Sequence, residues 1–259
     1  MKQDESLNMS IEALTSRKNQ YILRLRRLAG EAAFRREEGE YVCDGMKLLG
    51  EALEKGAEIR SVLWKERAQG VEGLNCPRQY LAPAELFDYA SPMKNSPGPV
   101  FTVAMERRPD TERLKNAIVL ETVQDPGNIG TVLRTAKALG IDGVILTGSC
   151  ADIYSPKAVR SSMGAIFRQR VIYARLGQLR QLAEGNGLKL YAAALSDRAE
   201  DIRRLDLKGA MVCVGSEGQG LSRELTELCD GEVIIPMEPG SESLNAAVAA
   251  AIIMWEMAR

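Results

Sequence analysis

Two rhythms of apolar and polar positions divide the chain. Between Ser16 and Gly39 the apolar residues Ile22, Leu25 and Leu28 recur at three-residue spacing among basic ones, the pattern of a helix with one buried stripe. The stretch "YVCDGMKLLGEALEKGAEIRSVLW" then reads strand, helix, strand, so the first ninety residues describe a small α/β unit. From Asn116 onward the rhythm changes. Short apolar runs, "AIVLE", "GVILTG", "LKLYAAAL", "GAMVCVG" and "EVIIP", are separated by helical patterns. Runs without alternation, set between helices, predict a mostly parallel sheet covered on both faces, an α/β fold whose ligand site lies beyond the carboxyl ends of the strands. Between the two parts, "SPMKNSPGP" (Ser91 to Pro99) holds three prolines and a glycine, so neither helix nor sheet can run through it and it reads as a hinge. The expected organisation is a front domain over 1–92, a linker and leading strand over 93–115, and a larger domain over 116–259.

Composition narrows the chemistry. The 259 residues are 45% apolar and 27% charged with net charge −1, which argues against a protein that coats polyanions along its whole surface. Locally the balance differs: Arg17, Lys18, Arg24, Arg26, Arg27, Arg35 and Arg36 face a single acid, Glu31, giving about +6 over twenty residues, either a phosphate-steering patch or a solvated helix face. The longest apolar run, Ala246 to Trp255, is too short to span a bilayer, and "MKQDESLNMS" has no apolar core of a secretory signal, so a cytoplasmic protein without membrane contact is expected. Five cysteines without a C-x-x-C pair suit a reducing compartment and give no metal site. The chain has no histidine, which removes Ser-His-Asp and Cys-His pairs and the usual base near neutral pH.

Three polar, glycine-containing turns follow strands. The first, "ETVQDPGNIGTVLRTAKALG", carries Asn128 and Arg134; the second, "CVGSEGQGLSRELTEL", carries Gly215, Glu217, Gly218 and Gly220; the third, "IPMEPGSESLNAAVAAAI", carries Ile235, Met237, Ser243, Leu244 and Asn245. Each has an ordinary reading as a helix cap or plain turn. The second loop invites comparison with phosphate-binding glycine loops, but its G-x-x-G-x-G spacing is not the dinucleotide fingerprint, and Glu217 stands where anionic oxygens would go. A nicotinamide-dependent dehydrogenase is thereby disfavoured.

Taken together, the three turns resemble the SpoU family of RNA ribose 2′-O-methyltransferases in the SPOUT superfamily. That family's motifs are an Asn followed six residues later by an Arg (Asn128, Arg134), G-x-E-G-x-G (Gly215 to Gly220), and I-P-M followed by S-L-N (Ile235 to Met237, Ser243 to Asn245). The likeness spans 117–259, and residues 10–90 more weakly resemble an RNA substrate-binding domain. The chain departs from the family where Ala246-Ala247-Val248 replaces V-S-V, and where Pro97-Gly98-Pro99 replaces the usual linker sequence. The resemblance implies a trefoil-knotted methyltransferase domain with S-adenosylmethionine as cofactor. It implies Arg134, Asn128, Glu217, Ser243 and Asn245 as catalytic residues, and Gly215, Gly218, Gly220, Ile235, Met237 and Leu244, with Leu195, as cofactor-binding residues. Arg17, Lys18, Arg24, Arg27, Arg35 and Arg36 would bind RNA. It further implies a homodimer formed through the catalytic domain with the last helix taking part, and ribosomal RNA of the 23S type as substrate. The alternatives are a tRNA ribose methyltransferase and an inactive RNA-binding protein.

Overall fold

The structure, a computed structural model, describes residues 11–105, 111, 113–238, 240 and 243–259. The decapeptide read above for a leader, parts of the expected linker (106–110 and 112) and three positions of the third turn lie outside the described residues. The chain divides into two compact units, Met1–Arg107 with Tyr154–Pro156, and Arg108–Ile153 with Lys157–Arg259.

The front unit is built from β1 (Glu12–Ala13), α1 (Gln20–Gly30), α2 (Ala32–Glu38), β2 (Glu40–Asp44), α3 (Met46–Glu54), β3 (Ile59–Lys65), β4 (Gln79–Ala82), α4 (Ala84–Ala90) and β5 (Val100–Ala104). Its five strands lie in the order β1-β4-β3-β5-β2, with β5 antiparallel to both of its neighbours. Asn19 opens α1 by accepting a hydrogen bond from the Tyr21 amide, and Ile22, Leu25 and Leu28 are its buried stripe, as their spacing predicts. The helix stops where Glu31 turns extended, and α2 starts again at once. The proline-rich stretch is tied to the end of β2, because the Asp44 carboxylate accepts hydrogen bonds from the hydroxyls of Ser91 and Ser96. It leads into β5, so the strand expected within 93–115 belongs to the front sheet.

One expected RNA contact is corrected here. Arg35 is buried, and its guanidinium donates to the carbonyls of Leu28 (2.6 Å) and Ala29 (3.2 Å), satisfying acceptors at the open end of α1. Its place in the sequence repeats the basic rhythm of its neighbours, but the corner between α1 and α2 turns it inward. It holds that corner together and offers nothing to a phosphate.

The larger unit contains β6 (Ala117–Glu121), α5 (Pro126–Ala138), β7 (Gly143–Thr147), α6 (Pro156–Ser162), β8 (Arg170–Tyr173), α7 (Leu176–Gly185), β9 (Lys189–Ala193), β10 (Glu200–Asp201), β11 (Ala210–Val214), α8 (Arg223–Leu228), β12 (Gly231–Ile234) and α9 (Ala246–Ala258). The seven strands are all parallel, in the order β10-β12-β9-β11-β6-β7-β8. The chain walks outward from β6 to β8, returns to lay down β9, and then sets β11 between β9 and β6. Parallel pairing puts the carboxyl ends of β12, β9, β11 and β6 side by side on one rim. The sheet's centre is solid: Ile118, Leu120, Ile129 and Leu133 are fully buried, each contributing about 1.5–3 kcal/mol of transfer free energy.

Helix α9 packs against α5 and β11. Its sequence is apolar around nearly the whole circumference, yet burial is one-sided: Ala246, Ala247, Ala250, Ile253, Met254 and Met257 face inward, while Val248 is 48% and Trp255 58% exposed. Among the described residues no helix is long and apolar enough to cross a membrane.

Candidate functional site

The site begins with the cap of α5. Asp125 accepts hydrogen bonds from the amides of Gly127 (2.6 Å) and Asn128 (3.1 Å), and Pro126 occupies the first helical position, where no amide is needed. Lys157 lies 2.6 Å from the other Asp125 oxygen, and it is the main reason that this carboxyl titrates below its ordinary range. The cap fixes the direction of Asn128. Its side-chain amide donates to Oε1 of Glu217, 89 positions away in sequence. Asn245 donates to the same Oε1 and to Oδ1 of Asn128, both at 3.3 Å, and the Ala246 amide approaches Oε1 at 3.4 Å. Asn245 also caps α9 by accepting from the amides of Ala247 and Val248. The Glu217 carboxylate therefore sits at the positive end of a helix and gathers three N–H donors on one oxygen, which suits an anchor and not a proton carrier.

The glycine loop is held at both ends. A Cβ on Gly215 would lie 2.1 Å from the carbonyl carbon and oxygen of Gly220 and 2.4 Å from the Leu221 amide, so the loop closes on itself only with glycine there. Ser216 and Gly220 face each other across the closure, joined by a 2.9 Å backbone hydrogen bond. At the far end, Ser222 donates through its amide and its hydroxyl, each at 2.7 Å, to the buried carboxylate of Glu121 at the end of β6, while its oxygen caps α8 at Leu225. Glu121→Gln puts an amide donor against one of these donors, and its expected cost is about 1–3 kcal/mol. A urea melt checks this, and an unchanged midpoint would show that the link does not hold the loop.

Beyond the rim lies a cavity of about 530 Å³, a size ordinary for a small-molecule site. Gly215, Gly218, Gly220, Ile235, Met237, Leu244 and Leu195 all line it, together with Glu217 and Ser243. Among the described residues its wall includes one carboxylate and no lysine or arginine.

Arg134 stands apart. It is exposed on α5, is not among the lining residues, and its side chain makes no hydrogen bond or ion pair with the described residues. Six residues along a helix turn it about 120° away from the direction of Asn128. Asn128, Glu217 and Asn245 are thus brought together beside the cavity, and Arg134 is not.

In the front unit, folding neutralises part of the basic patch. Arg24 is paired with Glu38 and Glu40, both at 2.6 Å, which raises its pKa further. Arg17 pairs with Glu85 and Arg27 with Glu31. Lys18 and Arg36 remain exposed. Arg26, counted in the patch but not singled out, stacks over the Tyr89 ring at 4.1 Å. Asp125, Glu121 and Ser222 were not singled out either. The Asp-Pro pair before a helical pattern is a readable cap signal for the first. The Glu121 partnership joins residues 101 positions apart and leaves no local trace.

Comparison with known proteins agrees with this geometry. A family model described as the SpoU rRNA Methylase family matches residues 115–255. An uncharacterised tRNA/rRNA methyltransferase of Synechocystis is 33% identical, over 98% of this chain and 96% of its own length. The 23S rRNA (guanosine(2553)-2′-O)-methyltransferase of Bacillus subtilis is 30% identical, over 95% of this chain and 99% of its own. Among solved structures, the AdoMet-bound rRNA methyltransferase of Sinorhizobium meliloti is similar with a TM-score of 0.84 at 26% identity, covering 95% of this chain and 97% of that one.

Proposed function

The chain belongs to the SpoU rRNA methylase family, and from that premise we infer that it is an S-adenosylmethionine-dependent methyltransferase acting on a ribose 2′-hydroxyl of 23S-type ribosomal RNA. The observation that carries the reading is the cavity itself: a glycine-cradled space lined by the second and third turns and the end of β9, with a carboxylate in its wall and no lysine or arginine among the described lining residues. Those residues fit a cationic nucleoside and do not fit a phosphate.

When bound, S-adenosylmethionine supplies a methyl group on a sulfonium centre. Backbone groups near Gly215, Ile235 and Leu244 would hold its adenosine end, with Gly218, Gly220, Met237 and Leu195 completing the wall. Asn128, Glu217 and Asn245 lock the cradle to the starts of α5 and α9, and Ser243 lies at the same mouth. Arg134 grips a phosphate beside the target ribose and stabilises the alkoxide that develops as the hydroxyl loses its proton. A guanidinium holds its proton too firmly to serve as base, so the proton leaves to a phosphate oxygen or to water. Tritiated methyl transfer tests the reading: label from S-adenosylmethionine is expected in deproteinised large-subunit ribosomal RNA and not in tRNA. Label confined to tRNA, or none at all, would overturn it.

The front unit, with Arg17, Lys18, Arg27 and Arg36 on its surface, is proposed as the substrate-binding domain over 1–92, ahead of a methyltransferase domain over 116–259. Setting β11 between β9 and β6 supports the threaded path of the superfamily. Ribosomal RNA as substrate and the five free thiols support a cytoplasmic location. A homodimer through α9 is proposed from Val248, Ala251, Ile252 and Trp255, an apolar stripe at helical spacing that the fold leaves outside its core. In such a dimer Arg134, missing from its own cavity, has a second cavity to serve. Trp255→Glu is expected to give a monomer by light scattering at micromolar concentration, with turnover lost. A monomeric parent protein would refute the dimer.

A further inference from the structure

We propose that Lys157 and Arg160 on α6 form a phosphate-binding pair for a nucleotide next to the methylated ribose. The proposal rests on the ribose methyltransferase reading and adds to it a place for the RNA backbone on the larger unit.

The helix that carries the pair is fixed directly against the one that carries Asn128. A Cβ on Gly130 would lie 2.4 Å from the Ala158 carbonyl oxygen, 2.7 Å from the Ser161 Cβ and 3.0 Å from the Ser162 amide, so α5 and α6 touch through their backbones. Ala158, Val159 and Ser162 are buried at this crossing, which leaves Lys157 and Arg160 on the open side. Residues three apart on a helix are neighbours, about 5–6 Å between Cβ atoms, so the two cations act on one place.

That place is the mouth of the site. Lys157 lies 2.6 Å from Asp125, the residue that caps α5 at Gly127 and Asn128, and its Cε is 3.1 Å from where a Gly127 Cβ would stand. Its ammonium is thus held one residue from Asn128. Arg160 is exposed and its guanidinium has no hydrogen bond or ion pair among the described residues, so its planar donors are free to take a phosphate in two bonds. The described residues of the cavity wall lend no cation to the RNA, and Arg134 projects from a different side of α5 than Asn128. A chain of nucleotides presents a phosphate on each side of every ribose, so one cationic group leaves the second phosphate unmatched. The Lys157–Asp125 pair is about half exposed on both sides, which makes the lysine easy to share with an incoming phosphate.

The competing account is that Lys157 only steadies the Asp125 cap and that Arg160 is an idle surface charge. The two accounts separate in the full-length protein. Arg160→Gln, which removes no described contact, and the double variant Lys157→Gln/Arg160→Gln are assayed for methyl transfer to deproteinised ribosomal RNA across a salt series. Binding of S-adenosylmethionine is followed by calorimetry. The pair predicts a raised KM for RNA with kcat at saturation kept. It also predicts a log–log salt slope of kcat/KM reduced by about one for Arg160→Gln and by about two for the double variant. The heat of S-adenosylmethionine binding stays at the parent value, and Arg160→Lys keeps most of the slope. A lowered kcat with an unchanged slope would show a cap-steadying role and overturn the pair, as would no change at all. If the parent protein transfers methyl while the variants keep its slope, only the pair falls; if the parent transfers none, the methyltransferase reading falls with it.

Discussion

Gly215→Ala is expected to abolish measurable S-adenosylmethionine binding while the front unit stays folded. Gly215 is short of room, not of backbone freedom. The added methyl would stand 2.1 Å from two atoms of Gly220 and 2.4 Å from the Leu221 amide, all of them backbone, so no side chain can swing aside. Overpacking of this kind costs about 1–3 kcal/mol or more, and the loop escapes it only by opening the cradle. A loss of roughly 3 kcal/mol corresponds to more than ~100-fold in affinity. Gly218→Ala is the control, because a Cβ there meets nothing within 4 Å and the loop itself tolerates it. Calorimetric titration of both variants decides the matter. Near-parental affinity for Gly215→Ala would show that the closed loop is not what holds the cofactor.

The second large effect is on turnover. Arg134→Ala is expected to lower kcat roughly 10²- to 10³-fold, the usual consequence of removing one donor aimed at developing charge. S-adenosylmethionine binding should remain, since Arg134 does not line the cavity. Arg134→Lys keeps the charge but loses the flat, forked donor set, and it is expected to recover little of the rate. Single-turnover transfer with saturating RNA and cofactor separates this from weakened binding. Near-normal turnover in the lysine variant would defeat the clamp.

The parts of this fold legible from sequence are those governed by short-range rules. The stripe of Ile22, Leu25 and Leu28 becomes the buried face of α1, and the apolar runs at Ala117, Gly143 and Ala210 become parallel strands buried along their whole length. The glycine loop is legible for a similar reason: Gly215 answers a steric demand set five residues away. What escapes is direction and pairing over distance. Arg35 shares its neighbours' charge pattern, but a break at Glu31 turns it into the interior. Arg134 follows Asn128 in one motif, yet six residues of helix aim the two side chains differently. Glu121 reads as the last polar residue of an apolar run, and only the meeting of β6 with the loop after β11 gives it work. The strand expected within 93–115 is β5, which pairs into the front sheet because its partners lie far away along the chain, and β8, four residues long, falls below the length at which alternation speaks.

A single atom, Oε1 of Glu217, receives donors from the starts of two helices that are more than a hundred residues apart along the chain. Fraying at either helix start would strip partners from that oxygen and loosen the other, so the floor of the pocket opens and closes as one cooperative unit and not turn by turn. Whatever occupies the pocket draws its grip from that joint opening, and slow amide exchange at Asn128 and Ala246 should rise and fall in step.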